Sequence, residues 1–139
     1  MPLVYKLAIH KAARADLDAI GDADPESAGV LEATMEQIGK DQRLLESLTI
    51  EEFGAHDTEA FHVDRWSEQQ RQGRNLWRLK LWALEHQGRA YRVVYALDPR
   101  ATRYCILGIF TRDFNYDRRD PRTQRVLADY DTLAIPTYR

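Results

Sequence analysis

Residues 75–117 read NLWRLKLWALEHQGRAYRVVYALDPRATRYCILGIFTRDFNYD, and this stretch decides the fold. It holds three apolar-rich runs, near 76–85, 90–97 and 103–111, each of strand length and rich in aromatic or β-branched residues. His86-Gln87-Gly88-Arg89 is a tight-turn sequence. Asp98-Pro99-Arg100-Ala101 places Pro where a type I turn wants its fixed φ. Three strands joined this closely predict an antiparallel meander. Side chains alternate along a strand, so Trp77, Leu79, Leu81 and Ala83 share one face. Arg78 and Lys80 share the other, about 7 Å apart at the usual strand rise. Arg92 lies in line with Val94 and Ala96 in the second run, and the third ends in Thr111-Arg112-Asp113 before Phe114-Asn115-Tyr116-Asp117. Taken singly, each cation is simply the solvated side of a half-buried sheet.

Upstream, residues 3–9 alternate and predict a first strand. Ala13, Leu17 and Ile20 have helical spacing over 11–20. Asp24 followed by Pro25 is an N-cap with proline at the first helical position, opening a helix over 25–47 that Gly39 kinks or divides. This helical hairpin supplies the layer that covers the Trp77/Leu79/Leu81 face. Residues 49–74 show no clean period and read as a packed loop with some local helix, or a flap. Asp120-Pro121 starts a C-terminal helix by the same cap chemistry, running to about Leu133. The predicted class is α+β: an N-terminal strand and helical hairpin packed on a mostly antiparallel sheet, with a C-terminal helix, in a single domain over 1–139.

The chain has 139 residues and a formal net charge of −2, but the charge is divided. Residues 1–70 hold 6 Lys and Arg against 15 Asp and Glu, whereas residues 71–139 hold 14 against 7. All but Lys80 of those 14 are arginine, whose planar fork matches phosphate oxygens in pairs. The basic half therefore suits a nucleic-acid backbone, an acidic protein partner, or the acidic first half of the chain. One cysteine, Cys105, excludes an intramolecular disulfide. No apolar run approaches membrane-spanning length and no signal-peptide pattern opens the chain, so a soluble cytoplasmic protein is expected.

No glycine-rich phosphate loop, nucleophile elbow or zinc spacing is present, so no cofactor or metal is expected. His56, Asp57, Glu59, His62 and Asp64 lack the spacing of a standard ligand motif and read as exposed loop residues. What remains for an enzyme is chemistry independent of metal and nucleotide cofactors.

The order strand, two helices, then LWRLKLW, AYRVVYAL and CILGIFTR resembles the RelE/ParE superfamily of bacterial type II toxins over nearly the whole chain. The resemblance implies the compact RelE-like fold. In the ribonuclease branch it implies that Arg78 and Lys80 contact the scissile phosphate region and that Arg92 stabilises charge there. It implies that Arg112 lies toward the leaving group and that Tyr116 stacks on a base or assists proton transfer. Members of that branch cleave mRNA in the ribosomal A site and are neutralised by a cognate antitoxin. The 49–74 segment is longer than compact members carry, and Arg118 or Arg119 could share the role of Tyr116. Attack by a 2′-hydroxyl needs a base, a stabilised phosphorane and a protonated leaving oxygen. Arginine cannot readily be the base, which leaves Lys80, Tyr116 or Asp113 for proton transfer. Cationic neighbours would favour the neutral amine of Lys80. Two other readings stay open: a gyrase-directed toxin of the other branch, and a non-catalytic regulatory domain whose basic face docks an acidic partner.

Overall fold

The computed structural model describes residues 3–139. Strand β1 (Lys6–Ile9) leads into α1 (Lys11–Ala23), α2 (Pro25–Gly39) and α3 (Gln42–Ser47). A 3-10 turn (Ala55–Asp57) precedes β2 (Phe61–Arg65) and α4 (Ser67–Arg71). The meander follows as β3 (Leu76–Leu81), a helical turn α5 (Trp82–Glu85), β4 (Tyr91–Asp98) and β5 (Arg103–Thr111), with α6 (Pro121–Thr132) last. One five-stranded sheet of order β1-β5-β4-β3-β2 results, antiparallel except where β1 runs parallel to β5. The fold is α+β, with the N-terminal strand, helical hairpin and C-terminal helix as expected.

Capping chemistry explains the helix starts. The Asp24 carboxylate accepts the Ser27 amide at the start of α2, with Pro25 in the first turn. Asp120 accepts the Arg122 amide before Pro121 in the same way. Each cap satisfies an amide that has no partner within its helix. Gly39 divides the predicted long helix: α2 ends there, and Asp41 caps α3 afresh through the amides of Arg43 and Leu44.

The sheet buries both faces. Trp77, Leu79, Leu81, Val93, Tyr95 and Ile106 pack with Ala13, Leu17, Leu31, Met35 and Ile38 of α1 and α2. On the opposite face Leu76, Val94, Ala96, Leu107 and Phe110 pack with Phe114 and with Val126 and Tyr130 of α6. Because α6 lies over β4 and β5, the part of this face built by β2, β3 and the start of β4 is left for polar side chains.

Two sequence expectations are corrected. Residues 49–74 contain a strand: β2 pairs with β3 at the sheet edge, and its far side is bridged by Glu52 and Phe53, which exchange backbone hydrogen bonds with Val63. The first meander run does not continue as strand to residue 85. At Trp82 the chain turns helical, burying Leu84 while the Trp82 indole N–H donates to the Gly54 carbonyl at 2.7 Å.

The middle of β5 has an exposed edge, because β1 pairs only with residues 103–106. Side chains occupy it. Asp16 of α1 accepts the Ile109 amide at 3.1 Å and takes both terminal nitrogens of Arg125 from α6, at 2.9 and 2.6 Å. Arg125 also donates to the Leu107 carbonyl. The two helical layers are thus pinned to each other across the rim of the sheet, and an unpaired strand edge is blunted.

A candidate anion-binding active site

Register places the cations. Arg78 lies opposite Asp64 on β2 and Val94 on β4, and Lys80 lies opposite His62. Arg92 lies opposite Phe110 of β5. These residues share the face that α6 leaves open. The segment after β5 then folds back over that face, because Phe114 is buried against Phe110 with ring centroids 4.6 Å apart. A cleft of about 330 Å³ results. Arg78, Lys80, Arg92, Arg112 and Tyr116, all five residues singled out in the sequence, line it.

The four cations are held differently. The Arg92 guanidinium donates to the Glu85 carboxylate and to the Tyr91 carbonyl, which fixes it half-buried. Arg78 lies over the Tyr116 ring, 4.5 Å from its centroid, and the Lys80 ammonium lies 5.0 Å from the Trp82 centroid. Neither makes an ion pair among the described residues, and Arg112, which is exposed, makes none either. Three positive heads without an ion pair outnumber the one carboxylate in the cleft lining, Asp64, and leave a net positive field suited to an anion.

Tyr116 has a left-handed backbone, φ 63°, which is uncommon outside glycine. Packing against Trp66 at 5.3 Å and Phe114 at 4.5 Å holds it there. Burial pushes its hydroxyl above the ordinary phenol value, and the charges of Arg78 and Arg92 offset part of that rise. Among the described residues no group meets the hydroxyl in hydrogen-bonding geometry, and Arg78 lies over the ring face.

The remaining candidates fall outside. Asp113 is not in the cleft wall: hydrogen bonds from Thr111 and then Arg122 hold its carboxyl below the usual carboxylate range, so it is committed elsewhere. Arg118 and Arg119 are exposed, and Arg119 pairs with Asp117 at 3.5 Å. His62 and Asp64, expected to be exposed loop residues, are instead half-buried on β2 and line the cleft. Their alternation with Phe61 and Val63 was the available signal. Glu85 was missed because the residues around it were read as strand.

Comparison with protein-family models, with curated proteins and with solved structures gives no match. Fold and cleft together define a small α+β protein with a cationic, aromatic-lined site.

Proposed function

We propose that the chain is the toxin component of a bacterial type II toxin–antitoxin system, a RelE-like endoribonuclease that cleaves mRNA on the ribosome. The observation that carries this reading is the convergence of Arg78, Lys80, Arg92, Arg112 and Tyr116 in one cleft. Fixed cations aimed at a phosphate stabilise the charge that develops on a pentacovalent phosphorane. Arg92, oriented by Glu85, is the most rigid of them. Arg78 and Lys80 take non-bridging oxygens, and exposed Arg112 takes the leaving-group side. Tyr116, with its hydroxyl pushed upward, is a proton donor toward the 5′-oxygen rather than a base. In this reading Lys80 accepts the 2′-hydroxyl proton as the free amine, and as the resulting ammonium it joins Arg78 on the phosphate.

The site in this reading acts in the cytoplasm. Among the described residues no helix is long and apolar enough to cross a membrane. A cognate antitoxin would neutralise the cleft by laying an acidic segment across it, an interface that weakens as salt rises.

The deciding experiment mixes the purified chain with programmed ribosomes and maps mRNA 5′ ends. New ends within the A-site codon are expected, and Lys80→Arg should suppress them while Lys80's charge is retained. Intact mRNA together with DNA damage on expression would replace this reading by gyrase inhibition. Neither effect would leave a docking domain.

A further inference from the structure

Outside the cation cluster, the rim of the cleft carries an imidazole and two carboxylates. One ligand-capable atom from each of Glu52, His62 and Asp64 lies within 4.8 Å of the others. We propose that these three side chains form a binding site for one divalent cation of the Zn²⁺ or Mn²⁺ type. This proposal is independent of the ribonuclease reading.

Backbone structure brings the three together. His62 and Asp64 stand two apart on β2 and so project from the same face. Glu52 reaches them because its amide donates to the Val63 carbonyl, the residue between them, at 2.9 Å. It adopts φ 68° to do so. Left-handed backbone is uncommon outside glycine, and such strain collects at functional positions.

None of the three is committed elsewhere. Both ring nitrogens of His62 are shielded from solvent and lack a hydrogen-bond partner, and the nearest carboxylate is Glu52 itself, 3.6 Å from Nε2. Stacking on Trp82, with centroids 5.6 Å apart and planes 9° off parallel, fixes the imidazole. The Asp64 carboxylate makes no hydrogen bond or ion pair among the described residues, although its cross-strand neighbour is Arg78. That guanidinium is placed over Tyr116 instead. An ion bound by these three groups would satisfy one of the two orphaned His62 nitrogens together with both idle carboxylates.

The donor set selects the ion class. One imidazole with two carboxylates suits zinc or manganese better than calcium, which takes six to eight oxygens. Around a tetrahedral ion with bonds of about 2.0–2.1 Å, ligand atoms lie about 3.3 Å apart. The His62–Glu52 separation is already near this. No separation in the trio exceeds 4.8 Å, so the widest must close by at most about 1.5 Å. Three protein ligands leave at least one position open. Arg78 and Lys80 line the same cleft, so their field weakens cation binding in the empty protein. An anion held by them offsets that repulsion, and by linkage the metal raises anion affinity in turn.

The test is calorimetric titration of the full chain with Zn²⁺ in a non-chelating buffer. One equivalent should bind, and His62→Gln, Asp64→Asn and Glu52→Gln should each weaken binding by at least about tenfold, the lower bound seen even for groups that only support a ligand. His86→Gln should bind as the parent does, because His86 pairs with Asp57 outside the trio. Zn²⁺ should also raise the melting temperature of the parent and not of the trio variants. If one trio variant fails to fold, the other two carry the comparison. Absence of stoichiometric binding, parental affinity in the trio variants, or loss of binding in His86→Gln overturns the proposal. No outcome depends on RNA cleavage, so this proposal and the ribonuclease reading fail separately.

Discussion

Arg92 and Arg112 occupy the same cleft under opposite constraints. Arg92 is locked by Glu85, whereas Arg112 is exposed and makes no ion pair among the described residues. If both stabilise the transition state, Arg92→Ala and Arg112→Ala each lower the single-turnover rate on programmed ribosomes by roughly 100- to 1000-fold, while ribosome affinity changes little. A contact that only docks phosphate would do the reverse, weakening binding and flattening its salt dependence. The rigid residue carries a further signature: Glu85→Gln should lower the rate without altering affinity, since it removes the brace and leaves the charge. Tyr116 predicts a pH effect by its absence. Its hydroxyl lies above the ordinary phenol value of 10.0. It therefore stays protonated from about pH 6 to 9. Tyr116→Phe should lower the rate by the same factor throughout that range, and a change in the shape of the profile would show that Tyr116 itself titrates there.

At the scale of elements, β2 separates what the sequence made legible from what it concealed. The meander could be read because Trp77, Leu79 and Leu81 alternate with charged residues over a full strand. The hairpin could be read because Asp24-Pro25 announces its second helix. β2 offers only Phe61 and Val63 as apolar residues, lies at a sheet edge, and depends on pairing with β3 and the 52–53 backbone. Such an edge is specified by its neighbours more than by its own pattern. The cations were legible for the same reason as β3. His62 and Asp64 joined them only through cross-strand register, which no single strand encodes. Trp82 misled because an aromatic residue after a strand reads as more strand, when it is the anchor of a turn held by Gly54. That dependence is testable. Gly54 has φ +78°, and a Cβ there would lie 1.7 Å from the Phe61 carbonyl oxygen, a backbone atom that cannot swing aside. Gly54→Ala should cost at least the roughly 1–2 kcal/mol of a left-handed non-glycine residue, seen as a lower urea midpoint with loss of the Trp82 environment. Gly108→Ala is a second case: its Cβ would meet the Phe110 ring at 2.3 Å. The ring must leave its place beneath α6, at about 1–3 kcal/mol for overpacking, and the same denaturant titration measures it.

Across the whole molecule, the acidic and basic halves neutralise each other at specific points, as where Arg89 meets Asp24 and Glu26 and where Arg125 meets Asp16. Stability should consequently fall at both extremes of pH. Hydrogen bonding from Ser27 holds the Asp24 carboxyl below 3.8, and bonds from Arg100, Arg119 and Arg122 do the same for Asp98, Asp117 and Asp120. A carboxyl depressed by folding stabilises fully above its unfolded value and loses that contribution as pH falls through the lower folded one. The urea midpoint should therefore hold down to about pH 5 and drop below about pH 4. Burial raises Tyr91, Tyr95, Tyr104 and Tyr130 above 10.0, with Tyr104 pushed up to about 12. A phenol raised by folding stabilises below its unfolded value and loses this as pH rises toward the folded one. Alkaline unfolding should fall between pH 10 and about 12, accompanied by a cooperative jump in phenolate absorbance. A gradual, non-cooperative rise would mean that these hydroxyls ionise in the folded chain.

The Asp16 carboxylate accepts the Ile109 amide and is itself gripped by Arg125, so one backbone proton in the middle of β5 is guarded by α1 and α6 together. Its deuterium uptake is consequently a clock for the closure of both layers. In the intact chain that amide should exchange as slowly as those inside the ladder, although no strand covers it. Arg125→Leu should speed its exchange selectively, leaving the β3–β4 amides unchanged, and a mass spectrometer following the peptide around residue 109 would register each opening of α6 away from β5.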